Sequence, residues 1–287
     1  MKKELSPRSR MLFSMLIFGT VGLFVRYIPL PSSAIACARG VIGAVCIYLH
    51  MKARRRRIDP DAVRGNAGAL LLSGAALGFN WAFLFEAYRY SVSTATLMYY
   101  LAPTIVMLVS PFALKEKLTA RRLICCLISL GGMVLVSGVL ADHAPQLPGV
   151  LWGLAAAALY AAVMILNRRI TGVKSEDRTV VQLSVSAVVM LLYVMLTELQ
   201  AAYTLTAVQG ALLIVVGVVH TGIAYLCYFG ALRDLPAQSA AILSYLDPAV
   251  ALLLSALVLG EKLGLHGWMG AVLILGGALV SELNGNE

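Results

Sequence analysis

Apolar runs of about 20 residues follow one another from end to end of this chain, and no polar stretch between them is long enough to make a soluble domain. At about 1.5 Å per residue each run is long enough to cross a hydrocarbon core of roughly 30 Å. A soluble protein buries one such helix, but a succession of them leaves too few residues to build a wettable surface. Charged residues make up 13% of the 287, about half of the roughly 25% usual in soluble domains. The expected fold class is therefore all-α: a polytopic membrane protein of ten transmembrane helices. The spans are expected at 11–28, 32–51, 66–88, 93–114, 121–140, 149–167, 179–198, 207–231, 238–259 and 265–283.

The basic residues orient these spans. Of 23 Lys+Arg, nineteen fall in loops on one side, among them Arg8, Arg10, Arg54 to Arg57, Lys115, Lys117, Arg168 and Arg233. Only Arg89 and Lys262 fall on the other side. Cytoplasmic loops carry the Lys/Arg excess, so both termini are expected in the cytoplasm and the protein in the cell membrane. Clustering in short loops also argues against a nucleic-acid partner, which would need basic and aromatic residues interleaved on a polar segment. The Arg54–Arg57 run reads as a topogenic stop, with anionic membrane lipid as a second possible contact. The basic N-terminus runs into the first apolar segment with no small-residue cleavage site after it, so a retained first span is expected.

The chain also repeats itself. Leu101-Ala102-Pro103, Lys115-Glu116-Lys117-Leu118 and Leu130-Gly131-Gly132 recur as Leu246-Asp247-Pro248, Gly260-Glu261-Lys262-Leu263 and Leu275-Gly276-Gly277, with equal spacings. After a one-residue gap, Gly78, Trp81, Phe85 and Ala87 match Gly222, Tyr225, Phe229 and Ala231. The two halves, 1–145 and 146–287, hold five spans each. An odd number makes the second half enter the membrane from the opposite side. Two inverted five-helix repeats are a feature of secondary transporters, whose substrate site lies near the midplane between the halves.

These residues carry a family resemblance over nearly the whole chain. The repeated apolar-Pro segment, the Glu-Lys-Leu turns, the Gly-Gly spans and Ala38-Arg39 in the second span resemble the EamA type of the drug/metabolite transporter superfamily. The resemblance implies a small-metabolite carrier, often an exporter of amino acids or related compounds. Lys115 opposite Gly260 and Ala102 opposite Asp247 depart from a strict duplication. They blur the symmetry of any site.

Ionisable groups inside spans are costly unless they face protein or water. Asp247, near mid-span, is a candidate for substrate or proton handling, or a structural carboxylate beside Pro248. Arg39 is placed to grip a carboxylate or phosphate with two bonds, or to pair with Asp247. His220 titrates near neutrality when free and is a second candidate for proton coupling, or an inter-helix hydrogen-bond partner. Arg26 and Glu86 lie near span ends and read as rim groups. The matched aromatics Trp81 with Tyr225 and Tyr100 with Tyr245 are candidates for cavity walls, with Asn80, Tyr99 and Tyr160 adding hydrogen bonds. Pro103 and Pro248 remove backbone donors mid-span and are candidate hinges. The glycine pairs are expected to let helices approach closely.

The cavity is expected among the first, third, fourth, sixth, eighth and ninth spans. Cys37, Cys46, Cys125, Cys126 and Cys227 all lie in apolar segments, without metal-type spacing to His, so no metal, cofactor or disulfide framework is expected. The chain shows no His-Glu-x-x-His and no nucleophile beside a base, so an enzyme is not expected. The reading is an exporter of small metabolites, working by alternating access as a monomer with a small-molecule substrate. A lipid or polyisoprenoid translocase is the alternative. In a cysteine-free background on whole cells, a membrane-impermeant maleimide should label the Arg89→Cys variant and spare Arg55→Cys. Labelling of both, or of the second alone, overturns the orientation.

Overall fold

The computed structural model describes residues 5–137, 139, 146–198, 204–259 and 264–283. The second Glu-Lys turn, Gly260 to Leu263, lies outside them. Among the described residues the regular structure is helical throughout. The first half contains α1 (Pro7–Val25), α2 (Ser32–Ala53), a short α3 (Pro60–Gly65), α4 (Ala67–Tyr88), α5 (Val92–Tyr99), α6 (Ala102–Leu114) and α7 (Ala120–Val136). The second half contains α8 (Leu147–Arg169), α9 (Ser175–Thr197), α10 (Ala207–Val215), α11 (Ala224–Asp234), α12 (Ala237–Ser244), α13 (Leu246–Leu259) and α14 (Leu265–Leu283). A π-helical segment, Val216–Ile223, joins α10 to α11 without a break.

Among the described residues, eight helices or end-to-end helix pairs are long and apolar enough to cross a membrane, and α14 contributes a shorter apolar helix. With α7, which packs along α14, they make up the ten expected spans. Large apolar side chains point outward, with Phe112 88% exposed, Leu196 86% and Leu257 76%. In water such a surface would aggregate; in a bilayer it is the lipid contact. Helix starts follow local chemistry. The hydroxyls of Ser6, Ser91, Thr119 and Thr206 each accept from a backbone N–H of the first turn, meeting donors that have no partner within the helix.

The fourth and ninth spans break where the repeat places its prolines, but not as interior kinks. The chain leaves α5 at Tyr99 and re-enters α6 at Ala102; in the second half Tyr245 separates α12 from α13. Pro103 and Pro248 then sit in the first turns of α6 and α13. The missing N–H is tolerated there because first-turn donors lack an intrahelical acceptor anyway.

The packing carries the duplication. α1 lies on α11–α13 as α8 lies on α4–α6, and α2 packs on the π segment as α9 packs on α4. Two matched pairs meet each other, α2 with α9 and α7 with α14. Both run antiparallel. Ser33 near one end of α2 donates to Glu198, Gly40 faces Ala187, and Arg56 beyond the other end reaches Asp177. Matched helices that run in opposite directions are what inverted halves require.

The end of the bundle where α1 begins is laced by polar contacts. Arg10 pairs with Asp234 at 2.5 Å, and Arg56 with Glu176 at 2.5 Å and Asp177 at 3.0 Å. Glu116 accepts from the backbone N–H groups of Ala237 and Gln238, holding the start of α12. Fully buried Arg178 donates to the carbonyls of Asn167 and Ile170, where α8 ends. The cation thus meets the helix's terminal carbonyls, the favourable end of its dipole.

The Gly-Gly pairs divide their work between two faces. A Cβ on Gly132 would stand 2.7 Å from the Gly270 carbonyl oxygen, and one on Gly277 would stand 2.9 Å from that of Cys125. Gly131 and Gly276 have nothing within 4 Å. Gly132→Ala and Gly277→Ala should therefore each destabilise the detergent-purified protein by about 1–3 kcal/mol, the usual cost of overpacking. Gly131→Ala and Gly276→Ala should match the parent in a thermal unfolding scan.

Candidate functional site

A cavity of about 480 Å³ opens between the two halves, within the size range of small-molecule sites. Its walls come from α1, α2, α4, α5, α8, α11 and α13. Seven expected site residues line it: Arg39, Trp81, Tyr99, Tyr100, Tyr160, Tyr225 and Asp247. The second span, omitted from the expected lining, supplies Arg39 together with Ser32, Ile35 and Ala36.

The aromatic wall is continuous. Tyr99, Tyr160 and Tyr228 form a stack with ring centroids 5.4 and 6.3 Å apart, and the Tyr228 hydroxyl donates to that of Tyr160 at 2.9 Å. Phe18, Trp81 and Tyr228 each meet Tyr225 edge to face. Trp81 and Tyr225, equivalent in the repeat, thus sit 6.1 Å apart in one wall. Edge-to-face contacts place the electropositive rim of one ring on the electron-rich face of another, which fixes the orientation of each. Trp81 is 4% exposed and Tyr225 7%. The cavity is shaped by rings that are already packed.

Two charged groups interrupt this wall. The Arg39 guanidinium lies over the Trp81 ring at 4.5 Å from its centroid, attracted by the π face. Its Nε has no hydrogen-bond partner, and among the described residues no carboxylate pairs with it. Asp247 enters from the first turn of α13, with the Tyr100 hydroxyl 3.5 Å from Oδ2. An Arg39–Asp247 ion pair, one of the expected alternatives, is not formed. A cation and an anion therefore face the same cavity with capacity left for a ligand.

Three expected residues point elsewhere. Asn80 is fully buried and donates to the Ala156 carbonyl at 2.7 Å, tying α4 to α8. One residue from Trp81, it is turned by about 100° around the helix. Tyr245 is fully buried against α6 and α7, with its hydroxyl on Thr104 and on the Tyr100 carbonyl. Its repeat partner Tyr100 does face the cavity, so the pair splits. His220 lies off the cavity, beside Thr20 and Phe24. Of the rim groups, Arg26 stacks over Tyr27 at the end of α1, and Glu86 accepts from Tyr193 and Arg89.

Several lining residues carried no signal of their own in the sequence. Phe18, Tyr88 and Tyr228 are ordinary apolar-span aromatics until the helix phases are known, whereas Phe85 was marked by its repeat match to Phe229. Tyr228 had one available clue, being three residues from Tyr225 and hence on nearly the same helix face.

Among the described residues the cavity continues toward one end of the bundle. A second hollow of about 410 Å³ shares Ser32, Phe85 and Tyr88 with it and continues toward the end where α1 finishes. In the other direction Tyr228 packs with buried Met11, Met15, Leu232 and Leu235, and the Arg10–Asp234 pair lies beyond them.

The sequence and the fold have known counterparts. The EamA-like transporter family matches residues 10–138 and again 147–283, one match to each five-span half. YxxF of Bacillus subtilis, an uncharacterized transporter, is 29% identical over 280 residues, covering 96% of this chain and 89% of its own. An uncharacterized transporter of Clostridium kluyveri is 25% identical over 254 residues, covering 84% of this chain and 80% of its own. One solved crystal structure superposes with a TM-score of 0.85 at 21% identity, over 97% of this chain and 98% of that one, and so shares its fold. With both halves matched and the ten-span fold in place, the chain belongs to the EamA-like transporter family and is a membrane transporter, not an enzyme.

Proposed function

We propose that this protein exports small amphipathic metabolites bearing a carboxylate and an amino group, amino acids and related compounds, across the cell membrane. The observation that carries this reading is Arg39. It is a cation held in place by Trp81 with no salt-bridge partner among the described residues, facing a cavity whose other charge is Asp247. Removing a charge from water is costly unless it is paired. A ligand whose carboxylate reaches Arg39 and whose ammonium reaches Asp247 supplies both partners, while the tyrosine stack takes its apolar part. The planar guanidinium offers two parallel donors to a carboxylate, and stacking on Trp81 sets their plane.

The halves 1–145 and 146–287 then rock about this site. The ion-paired end holds most of the basic loops, which the positive-inside pattern places in the cytoplasm together with both termini. The state described here is accordingly open to the outside and sealed within. The breaks at Tyr100–Leu101 and at Tyr245, each followed by a first-turn proline, are the points at which the fourth and ninth spans bend. Proton coupling is assigned to Asp247, because it faces the cavity and His220 does not. A monomer contains the complete site.

Ligand-induced thermal stabilisation tests the reading directly. A ligand at 100 times its Kd adds about 2.7 kcal/mol to stability. Purified protein screened against amino acids, amines, carboxylates, nucleotide sugars and lipids should be stabilised by zwitterions. Arg39→Ala and Asp247→Asn should each abolish that shift while leaving the unliganded melting temperature near the parent's. Stabilisation by lipids alone, or a zwitterion shift that survives Arg39→Ala, overturns the proposal and favours a lipid translocase.

A further inference from the structure

The eighth span departs from its repeat partner at one place. In α4, Gly74 and Gly78 are four residues apart and both lie against α9, next to Gln182 and Val185 and to Ser186 and Val189. In the eighth span the equivalent contact with α2 is made by Gly217, against Ile42, and Gly222, against Gly43. Gly222 matches Gly78 in the sequence repeat, yet Gly217 lies five residues before it. The second half therefore holds one extra residue between its two contact glycines. In an α-helix a separation of five would turn them about 140° apart. The π-helical segment Val216–Ile223 absorbs the insertion, since its i→i+5 bonding brings residues five apart back to one face.

The insertion has a partner on α1. His220, 2% exposed, lies within the π segment with Nε2 at 2.9 Å from the Thr20 hydroxyl and its ring 4.8 Å from that of Phe24. The single hydroxyl hydrogen of Thr20 is committed to the Ile17 carbonyl at 2.7 Å. His220 Nε2–H then donates to the Thr20 oxygen, and the Val215 backbone interacts with the same imidazole. Thr221 turns its hydroxyl back on the Val216 carbonyl at 3.2 Å, covering an acceptor that π geometry leaves short. α11 follows at once, carrying Tyr225 and Tyr228 into the cavity wall and Asp234 to the Arg10 pair.

We propose that this inserted π turn is the working joint of the second half. Its shift toward α geometry turns α11 relative to α10, withdrawing the two tyrosines and parting the Arg10–Asp234 end. The His220–Thr20 bond latches the joint in the state described here. α4, α-helical throughout, has no such joint, so the two halves move unequally. This inference rests on the alternating-access reading above.

Cysteine accessibility separates the two. Gly22 lines the cavity, and a side chain added there meets nothing within 4 Å. The Gly22→Cys variant, with the five native cysteines replaced, is reconstituted in liposomes and exposed to a membrane-impermeant maleimide on one side at a time. The parent should react from both sides. Deleting Val218 restores the four-residue glycine spacing, and should keep labelling from the open end while slowing it about tenfold or more from the ion-paired end, a shift of roughly 1.4 kcal/mol. A parent that reacts from one side only overturns alternating access, and the joint with it. A parent reactive from both sides and a folded deletion variant that labels as the parent does overturn the joint alone. Should the deletion fail to fold, Thr20→Val decides. It should speed labelling from the ion-paired end roughly threefold to tenfold, the factor one lost hydrogen bond gives, and an unchanged rate overturns the proposal.

Discussion

The whole arrangement depends on helices touching backbone to backbone. Lipid tails are as apolar as leucine, so no hydrophobic force drives one span onto another, and association relies on packing and on buried hydrogen bonds. The glycines supply that contact where it matters most. Gly40 with Ala187 and Gly43 with Gly222 bring α2 against α9 and the eighth span, Gly74 and Gly78 bring α4 against α9, and Gly132 with Gly270 joins α7 to α14. Each contact sits at an interface between the halves or at its repeat-related image. Small residues thus set the frame within which the larger ones are placed.

The cavity is the complement of that frame. Where small residues let helices close up, no space is left; where aromatic rings stand between helices, the helices are held apart. Phe18, Trp81, Tyr99, Tyr160, Tyr225 and Tyr228 come from five spans and brace one another ring on ring. The rings bounding the hollow are held by one another. Preorganisation of this kind lowers the cost of binding, because few side chains must be immobilised when the ligand arrives. Arg39 gains most, since the Trp81 face holds its guanidinium where a carboxylate would otherwise have to order it.

The fold was largely legible in the sequence because membrane physics is coarse. Span length and Lys/Arg placement survive an error of a few residues, and ten expected segments became ten spans with ends shifted by only a few positions. The repeat was legible for a similar reason, since Pro103 and Pro248 keep their spacing to the Gly-Gly pairs. The site needed the phase of each helix, and spans apolar on every face give little amphipathic signal to read it from. Asn80 beside Trp81 shows the consequence, with neighbouring residues one helix step apart, one in the wall and one between helices. Tyr245 shows another. Sequence equivalence to Tyr100 predicted equivalent roles, but Tyr245 turns its hydroxyl toward Thr104 and away from the cavity. The π segment left a trace as an extra residue between Gly217 and Gly222, visible only once contacts showed those two glycines doing the work of Gly74 and Gly78.

Symmetry of frame and asymmetry of site have different physical origins. On the alternating-access reading proposed above, two inverted copies related by a pseudo-two-fold axis would bring the inward-open and outward-open arrangements close in energy, so that exchange between them stays possible. A substrate has no such symmetry. An amino acid has one carboxylate and one ammonium, and a cavity with two-fold symmetry would offer two identical half-sites and match neither end well. The departures from duplication fall where the proposed zwitterionic ligand would need them. Asp247 stands where the first half has Ala102, and Tyr100 faces the cavity while Tyr245 does not. The frame could stay duplicated because lipid contact and glycine packing are indifferent to the cargo. The cavity wall could not, and the residues that broke the repeat are the ones that would distinguish one end of a ligand from the other.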